Sequence, residues 1–212
     1  MKTVVFLMLS LSILCKHLPA LAQQSDPSSK NKWSHDIEAW LYLIPDGTIF
    51  SPIYAADKDR IHLEAHYNYE DLNTFSAWFG YNFSGGNKLS FTITPMAGVV
   101  VGNLNGLAPG LETNFDFGRF NFNSTSQYVF DFSDKQLDYY YNWTDFSYSP
   151  LDWLFFGGSL QRTRLYEGSL ELQRGALLGI SYRWLELSGY WYNPAHSDSY
   201  VVLAITMSIP EP

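Results

Sequence analysis

From Arg60 to Glu70 the chain reads RIHLEAHYNYE and changes character at every step. Ile61, Leu63, Ala65, Tyr67 and Tyr69 are apolar or aromatic, whereas His62, Glu64, His66, Asn68 and Glu70 are polar. A period of two sends alternate side chains to opposite faces of a β-strand, so this strand separates an apolar medium from a wet one. The same rhythm sets Ile37, Ala39, Leu41 and Leu43 against Glu38, Trp40 and Tyr42 over 36–44, before the turn residues Pro45-Asp46-Gly47. Further strands are predicted over 75–84, 89–102, 110–118, 120–132, 139–149, 153–166, 169–184, 185–192 and 200–209. A weaker one covers 49–57, where Pro52 interrupts the pattern. The total is about twelve.

Strands of roughly 9 to 11 residues suit a tilted crossing of a hydrocarbon core, and most of these reach that length. The connections alternate in style. Those at 85–88, 118–119, 150–152 and 183–184 are short; those at 103–109, 133–138, 166–169 and 193–199 are longer or more polar. Short turns at one end and longer loops at the other are the habit of outer-membrane barrels, and an even strand count returns both termini to one side. Aromatic residues gather near predicted strand ends: Tyr67, Tyr69, Phe75, Trp78, Phe120, Phe122, Tyr139, Tyr140, Tyr141, Trp143, Trp153 and Trp184. They are expected to form interfacial girdles.

Composition sharpens this picture. Charged residues are 16% and aromatic residues 17% of the 212, both suited to a lipid-facing surface when the usual charged share is about a quarter. The N-terminus carries Lys2, an apolar run from Val4 to Cys15 and the small-x-small site Ala20-Leu21-Ala22. Residues 1–22 are therefore expected to be a cleaved export signal. A flexible periplasmic tail over 23–35, the barrel over 36–209 and a short C-terminal tail over 210–212 would follow. Beyond Ala22 no apolar stretch approaches helix-spanning length, which leaves a closed barrel as the way to cross a bilayer. The lone Cys15 leaves with the signal, so no disulfide is expected. Of 13 basic residues, Lys2 and Lys16 also leave, so 11 face 21 acidic residues. That balance disfavours nucleic acid as a partner.

The stretches RIHLEAHYNYEDLNTFSAWFGYNFSGG, LSFTITPMAGVV, YNWTDFSYSPLDW and QRGALLGISY resemble bacterial outer-membrane β-barrel proteins of the porin-like, single-chain kind. The resemblance spans essentially all of the chain after residue 22. It implies an all-β fold, a closed antiparallel up-and-down transmembrane barrel in the outer membrane, with membrane lipid and the barrel-insertion machinery as partners. It carries no catalytic residues. Such proteins commonly end in an aromatic residue read by that machinery, whereas this chain ends AITMSIPEP.

If the apolar set meets lipid, the other set lines the interior. The lining candidates are His62, Glu64, His66, Asn68, Glu112, Asn114, Asp116, Gln127, Asp145, Gln161, Gln173, Arg183 and Glu186. Such a lumen is polar and leans acidic, favouring cations or neutral small solutes. Whether twelve strands enclose a narrow channel or a filled interior stays open, because that size lies between filled eight-stranded barrels and open porins. His62, Glu64 and His66 share one face, but same-face neighbours along a strand lie roughly 6.5 to 7 Å apart. That is too far for all three to meet on one ion, so a hydrogen-bonded network is expected, without metal or cofactor.

Arg162, Arg164 and Arg174 flank the hairpin at 166–169 and are candidates to grip lipid phosphates. A lipid hydrolase is the enzymatic alternative, since His196 adjoins Ser197 and Ser199 while His66 lies near Ser76 on the next strand. Neither pair has an assigned orienting acid, and a non-enzymatic role is expected. A soluble periplasmic sandwich or lipocalin-like carrier is the remaining alternative, but it would have typical strands of about 5 or 6 residues.

Overall fold

The computed structural model describes residues 32–162 and 172–210. The proposed export signal, residues 23–31 of the proposed tail, Arg164 and the hairpin at 166–169 lie outside the described residues.

The described chain forms β1 (Ser34–Ile44), β2 (Gly47–Lys58), β3 (Ile61–Tyr67), β4 (Phe75–Tyr81), β5 (Phe83–Gly86), β6 (Leu89–Val101), β7 (Gly106–Phe117), β8 (Phe120–Asp131), β9 (Tyr139–Leu151), β10 (Leu154–Arg162), β11 (Gln173–Tyr182), β12 (Leu185–Tyr192) and β13 (Tyr200–Pro210). Strands β4 and β5 pair with the same partner, β6, and only Asn82 separates them. They make one stave, so the thirteen segments build twelve. All neighbours are antiparallel. β1 closes on β13 from Ser34↔Pro210 to Leu43↔Val201, and the β4–β6 pairing joins the other end of the strand order. A closed barrel leaves no unpaired sheet edge.

Pro52 and Pro109 are both accommodated in strands where the ladder has a gap. Pro52 pairs with Ala39 of β1, and β2–β3 pairing starts only at Ile53, so its missing N–H removes no bond there. Pro109, expected in a loop, lies within β7. The β7–β8 ladder skips Ala108 and Pro109 and resumes in the same register at Gly110. Strand β3 is shorter than the alternation suggested, because Asn68 adopts a left-handed backbone (φ 54°) and turns the chain.

At one end, connections such as Asp59-Arg60, Gly118-Arg119 and Arg183-Trp184 are two residues long. Asp59, Gly118 and Arg183 each have positive φ, as tight hairpin turns of this kind require. Both termini of the sheet lie at this end. The opposite end carries Pro45-Asp46 and the longer connections, including 68–74, 132–138 and 193–199.

The two faces of each strand differ sharply. Phe79 is 57% exposed while its neighbour Trp78 is 3% exposed. The outward set includes Leu43, Phe50, Leu63, Val99, Leu111, Phe130, Leu178 and Leu203, all exposed. A water-soluble protein does not display apolar surface on that scale. Tyr67, Phe75, Phe120, Tyr140, Trp153 and Trp184 are exposed near strand ends, as the girdle reading expects. Tyr69, Trp78, Tyr139, Tyr141 and Trp143 depart from it and are buried inside. The physical reason is parity, since each occupies a position whose Cβ points into the barrel, apart from Tyr69, which the turn at Asn68 folds inward.

Candidate functional site

Burial of the inward residues is graded along the barrel axis. Toward the long-loop end Tyr42, Val100, Val129, Tyr141, Tyr192 and Val202 are essentially inaccessible. Toward the short-turn end the inward Glu38, Asp57, Glu112, Asn114, Asp116 and Glu186 are half-buried. The interior is thus a polar vestibule at one end and a packed region at the other.

The packed region is built from rings on opposite walls. Trp40 of β1 meets Trp143 of β9 edge-on with centroids 4.8 Å apart, although four staves lie between them one way round and six the other. Tyr69, from the β3–β4 connection, reaches Tyr141 of β9 at 4.8 Å. Tyr190 packs edge-on to Trp143 at 5.1 Å, and Tyr192 stacks on Tyr200 at 5.0 Å. Edge-to-face and offset rings at these separations attract beyond their area burial.

The polar edges of Trp40, Trp143, Tyr190 and Tyr200 are tied to a carboxylate or another polar group. Trp40 Nε1 donates to Glu38 Oε2 at 2.7 Å. Trp143 Nε1 and Tyr190 Oη donate to the two oxygens of Asp145 at 2.9 and 3.1 Å. Tyr200 Oη donates to Gln161 Oε1 at 3.0 Å.

A second cluster gathers on β3. His66 Nε2 lies 3.0 Å from Glu64 Oε2, and its Nδ1 lies 3.2 Å from Glu70 Oε1. The same Glu70 oxygen accepts from Ser76 Oγ at 2.5 Å and Trp78 Nε1 at 3.3 Å. His62 Nδ1 lies 2.9 Å from Asp57 Oδ1, which also accepts from Asn82 Nδ2 at 2.6 Å. Asn82 in turn accepts from Thr94 at 2.6 Å. Glu112 of β7 reaches across the β4 and β6 staves to within 3.7 Å of His62 Nε2. Gly80 makes this possible, because a Cβ there would lie 2.8 Å from Thr94 Cγ2 and 3.2 Å from the His62 ring.

Among the lining candidates, His62, His66, Gln127, Gln161 and Gln173 are buried, and Glu64, Glu112, Asn114, Asp116, Asp145 and Glu186 are half-buried at inward positions. Two depart from the expected lining. Asn68 serves the turn, donating to the Phe50 carbonyl and accepting from Asn73 N. Arg183 sits in an exposed two-residue turn with its guanidinium 5.3 Å from the centre of the Tyr182 ring. Arg162 and Arg174 occupy outward positions at the long-loop rim, and Arg162 lies 5.6 Å from the Tyr140 ring centre. Among the described residues no Lys or Arg occupies an inward strand position.

The two hydrolase pairings are not assembled. Ser76 donates to Glu70 rather than to His66, whose two nitrogens both face carboxylates. His196 lies in an exposed turn, and Ser199 Oγ bonds to Trp191 Nε1 and the Tyr192 carbonyl. Sequence reasoning missed Asp57 and Glu70 as interior groups. Asp57 closes the weak strand expected over 49–57, where the pattern is interrupted, and Glu70 enters only because the connection folds inward.

No family model matches this sequence, and no curated protein matches it. Among solved structures the chain is similar to "KdgM porin", with 14% identity and a TM-score of 0.59, covering 83% of this chain and 99% of that one. It is similar at the same identity and coverage, with a TM-score of 0.60, to "KdgM porin in complex with disordered oligogalacturonate". The likeness is one of fold, a closed twelve-stave porin-like barrel.

Proposed function

We propose that this chain is exported and inserted into a bacterial outer membrane, where it acts as a passive, narrow pore for small solutes. The observation that carries this reading is the meeting of Trp40 and Trp143 from opposite walls above a carboxylate-lined vestibule, inside a barrel whose outer surface is apolar. By the usual orientation of such barrels the short turns face the periplasm. The vestibule then opens inward to the periplasm and the rings constrict the path toward the outside.

The charge of the lining sets the solute class. Asp57, Glu64, Glu112, Asp116, Asp145 and Glu186 face inward without an inward Lys or Arg among the described residues. A passage lined by one sign of charge concentrates the opposite ion, so small cations and neutral solutes are favoured. Oligogalacturonate, the polyanion named with the similar porin, is disfavoured here. Arg162 and Arg174, facing outward at the rim, are placed to contact lipid phosphates.

Single-channel recording in planar bilayers tests the pore. Wild-type protein is expected to give small, cation-selective steps, and the Trp40→Ala/Trp143→Ala double variant steps several-fold larger. A refolded barrel that inserts in both forms but conducts in neither would contradict the pore and leave a structural envelope barrel.

A further inference from the structure

The geometry points to a divalent transition-metal site of the zinc class in the vestibule, held by His62, Glu64 and Glu112. Their ligand atoms all lie within 4.8 Å of one another. His62 Nε2 is 3.1 Å from Glu64 Oε1 and 3.7 Å from Glu112 Oε2. Bonds of about 2.0 to 2.1 Å at tetrahedral angles place ligand atoms roughly 3.3 Å apart, so these separations bracket one edge of such a site. The alternation along β3 argued against His62, Glu64 and His66 converging on one ion. The third ligand comes instead from β7, through the space left by Gly80.

An independent observation singles out His62. Its side chain is 7% exposed, and its Nε2 makes no hydrogen bond of acceptable geometry despite the nearby carboxylates. Its other nitrogen faces Asp57 at 2.9 Å. With Nδ1 donating to that carboxylate, the neutral ring presents its lone pair at Nε2, which is the usual support of a metal-bound histidine. A divalent ion bound among Nε2 and the two carboxylates would be neutralised by them, taking the place of a proton on that nitrogen.

The rest of the cluster acts as a supporting layer. His66 holds the far oxygen of Glu64 at 3.0 Å and is itself braced by Glu70. Thr125 donates to Glu112 Oε1 at 3.2 Å. Among the described residues His66 has both nitrogens engaged by carboxylates, so it orients Glu64 rather than adding a ligand. Glu112 is half-buried and borders the vestibule, which gives an ion a route from the short-turn end. One imidazole with two carboxylates suits zinc and its neighbours better than calcium or magnesium, which take oxygen ligands.

The test is titration of untagged, full-length barrel refolded in detergent, with Zn²⁺ followed by calorimetry and Co²⁺ by its visible absorption. One ion per barrel is expected, with the intense bands of low-coordinate Co²⁺, undisturbed by excess Mg²⁺ or Ca²⁺. His62→Gln and Glu112→Gln should each weaken binding by roughly a hundredfold, and Asp57→Asn by roughly tenfold to a hundredfold as an outer-layer change. Heat-modifiable gel migration reports whether each variant is a folded barrel. If His62→Gln does not fold, the half-buried Glu112→Gln decides alone. Undiminished binding in folded Glu112→Gln, or loss of binding on changing the half-buried, outward His35 and the exposed His196 instead, would overturn the site. So would wild-type protein that binds no Zn²⁺. None of these outcomes depends on whether the barrel conducts.

Discussion

Glu70 shows how one residue can secure a connection. It is wholly buried, and one of its oxygens faces His66, Ser76 and Trp78. Through it the chain after Asn68 is pulled into the barrel, bringing Tyr69 against Tyr141. Removing one partner of a buried charged network strands the others in a poorly solvated site, which typically costs about 3 to 5 kcal/mol. Glu70→Ala is therefore expected to lower folding stability by about that much, measured from urea midpoints of barrel refolded in vesicles. Glu70→Gln keeps an acceptor oxygen and should lose less. Equal, small losses in both variants would show that Glu70 does not anchor the connection.

A neighbouring contrast concerns Gly98, where a Cβ would fall 2.4 Å from the Trp78 ring. Gly98→Ala must displace that indole and with it the donor to Glu70. Gly118 has open space around it and only its φ of 61° to satisfy. Gly118→Ala should cost about 1 to 2 kcal/mol, and Gly98→Ala clearly more, in the same unfolding measurement.

At the level of the strand, the alternation fixes which residues meet lipid. Leu203 lies on the outward face of β13, paired with Leu41 and Gly189, and is 46% exposed. Ile209 is outward too but sits at the strand's end. A lipid-facing arginine costs about 2 to 4 kcal/mol near the bilayer midplane and about 0 to 1 near an interface. Leu203→Arg should thus destabilise the vesicle-inserted barrel by more than about 1 kcal/mol beyond Ile209→Arg. Equal effects would mean that the two positions share one environment.

The same scale explains what was legible in the sequence. Alternation is local, so the strands, their faces and the contrast between short and long connections could be read directly. Parity fails where both neighbours are aromatic: in Tyr139-Tyr140-Tyr141-Asn142-Trp143, the sequence does not say which rings point inward. Pro109 misled because its tolerance within a strand depends on where a neighbouring ladder has a gap. The contacts Trp40–Trp143, Tyr69–Tyr141 and Glu112–His62 were illegible for a different reason. Each depends on barrel closure and stagger, which bring distant staves together across the interior. The turn at Asn68 decided the fate of Glu70, and a single left-handed residue leaves little trace in an alternating pattern.

For the whole molecule, one partition underlies everything above. The exposed apolar half of each stave touches acyl chains, and the other half encloses rings, carboxylates and solvent. Trp153, Trp184 and Trp191 are each more than half exposed on the outer surface, while Trp78 and Trp143 are buried within and Trp40 packs against the inner cluster. The most direct measurement is quenching of single-tryptophan variants by lipids brominated on their acyl chains, with the refolded barrel in vesicles. The account predicts that Trp153, Trp184 and Trp191 are quenched, each according to its depth, while Trp40, Trp78 and Trp143 are spared. Quenching of the inner set, or no quenching of the outer one, would contradict it.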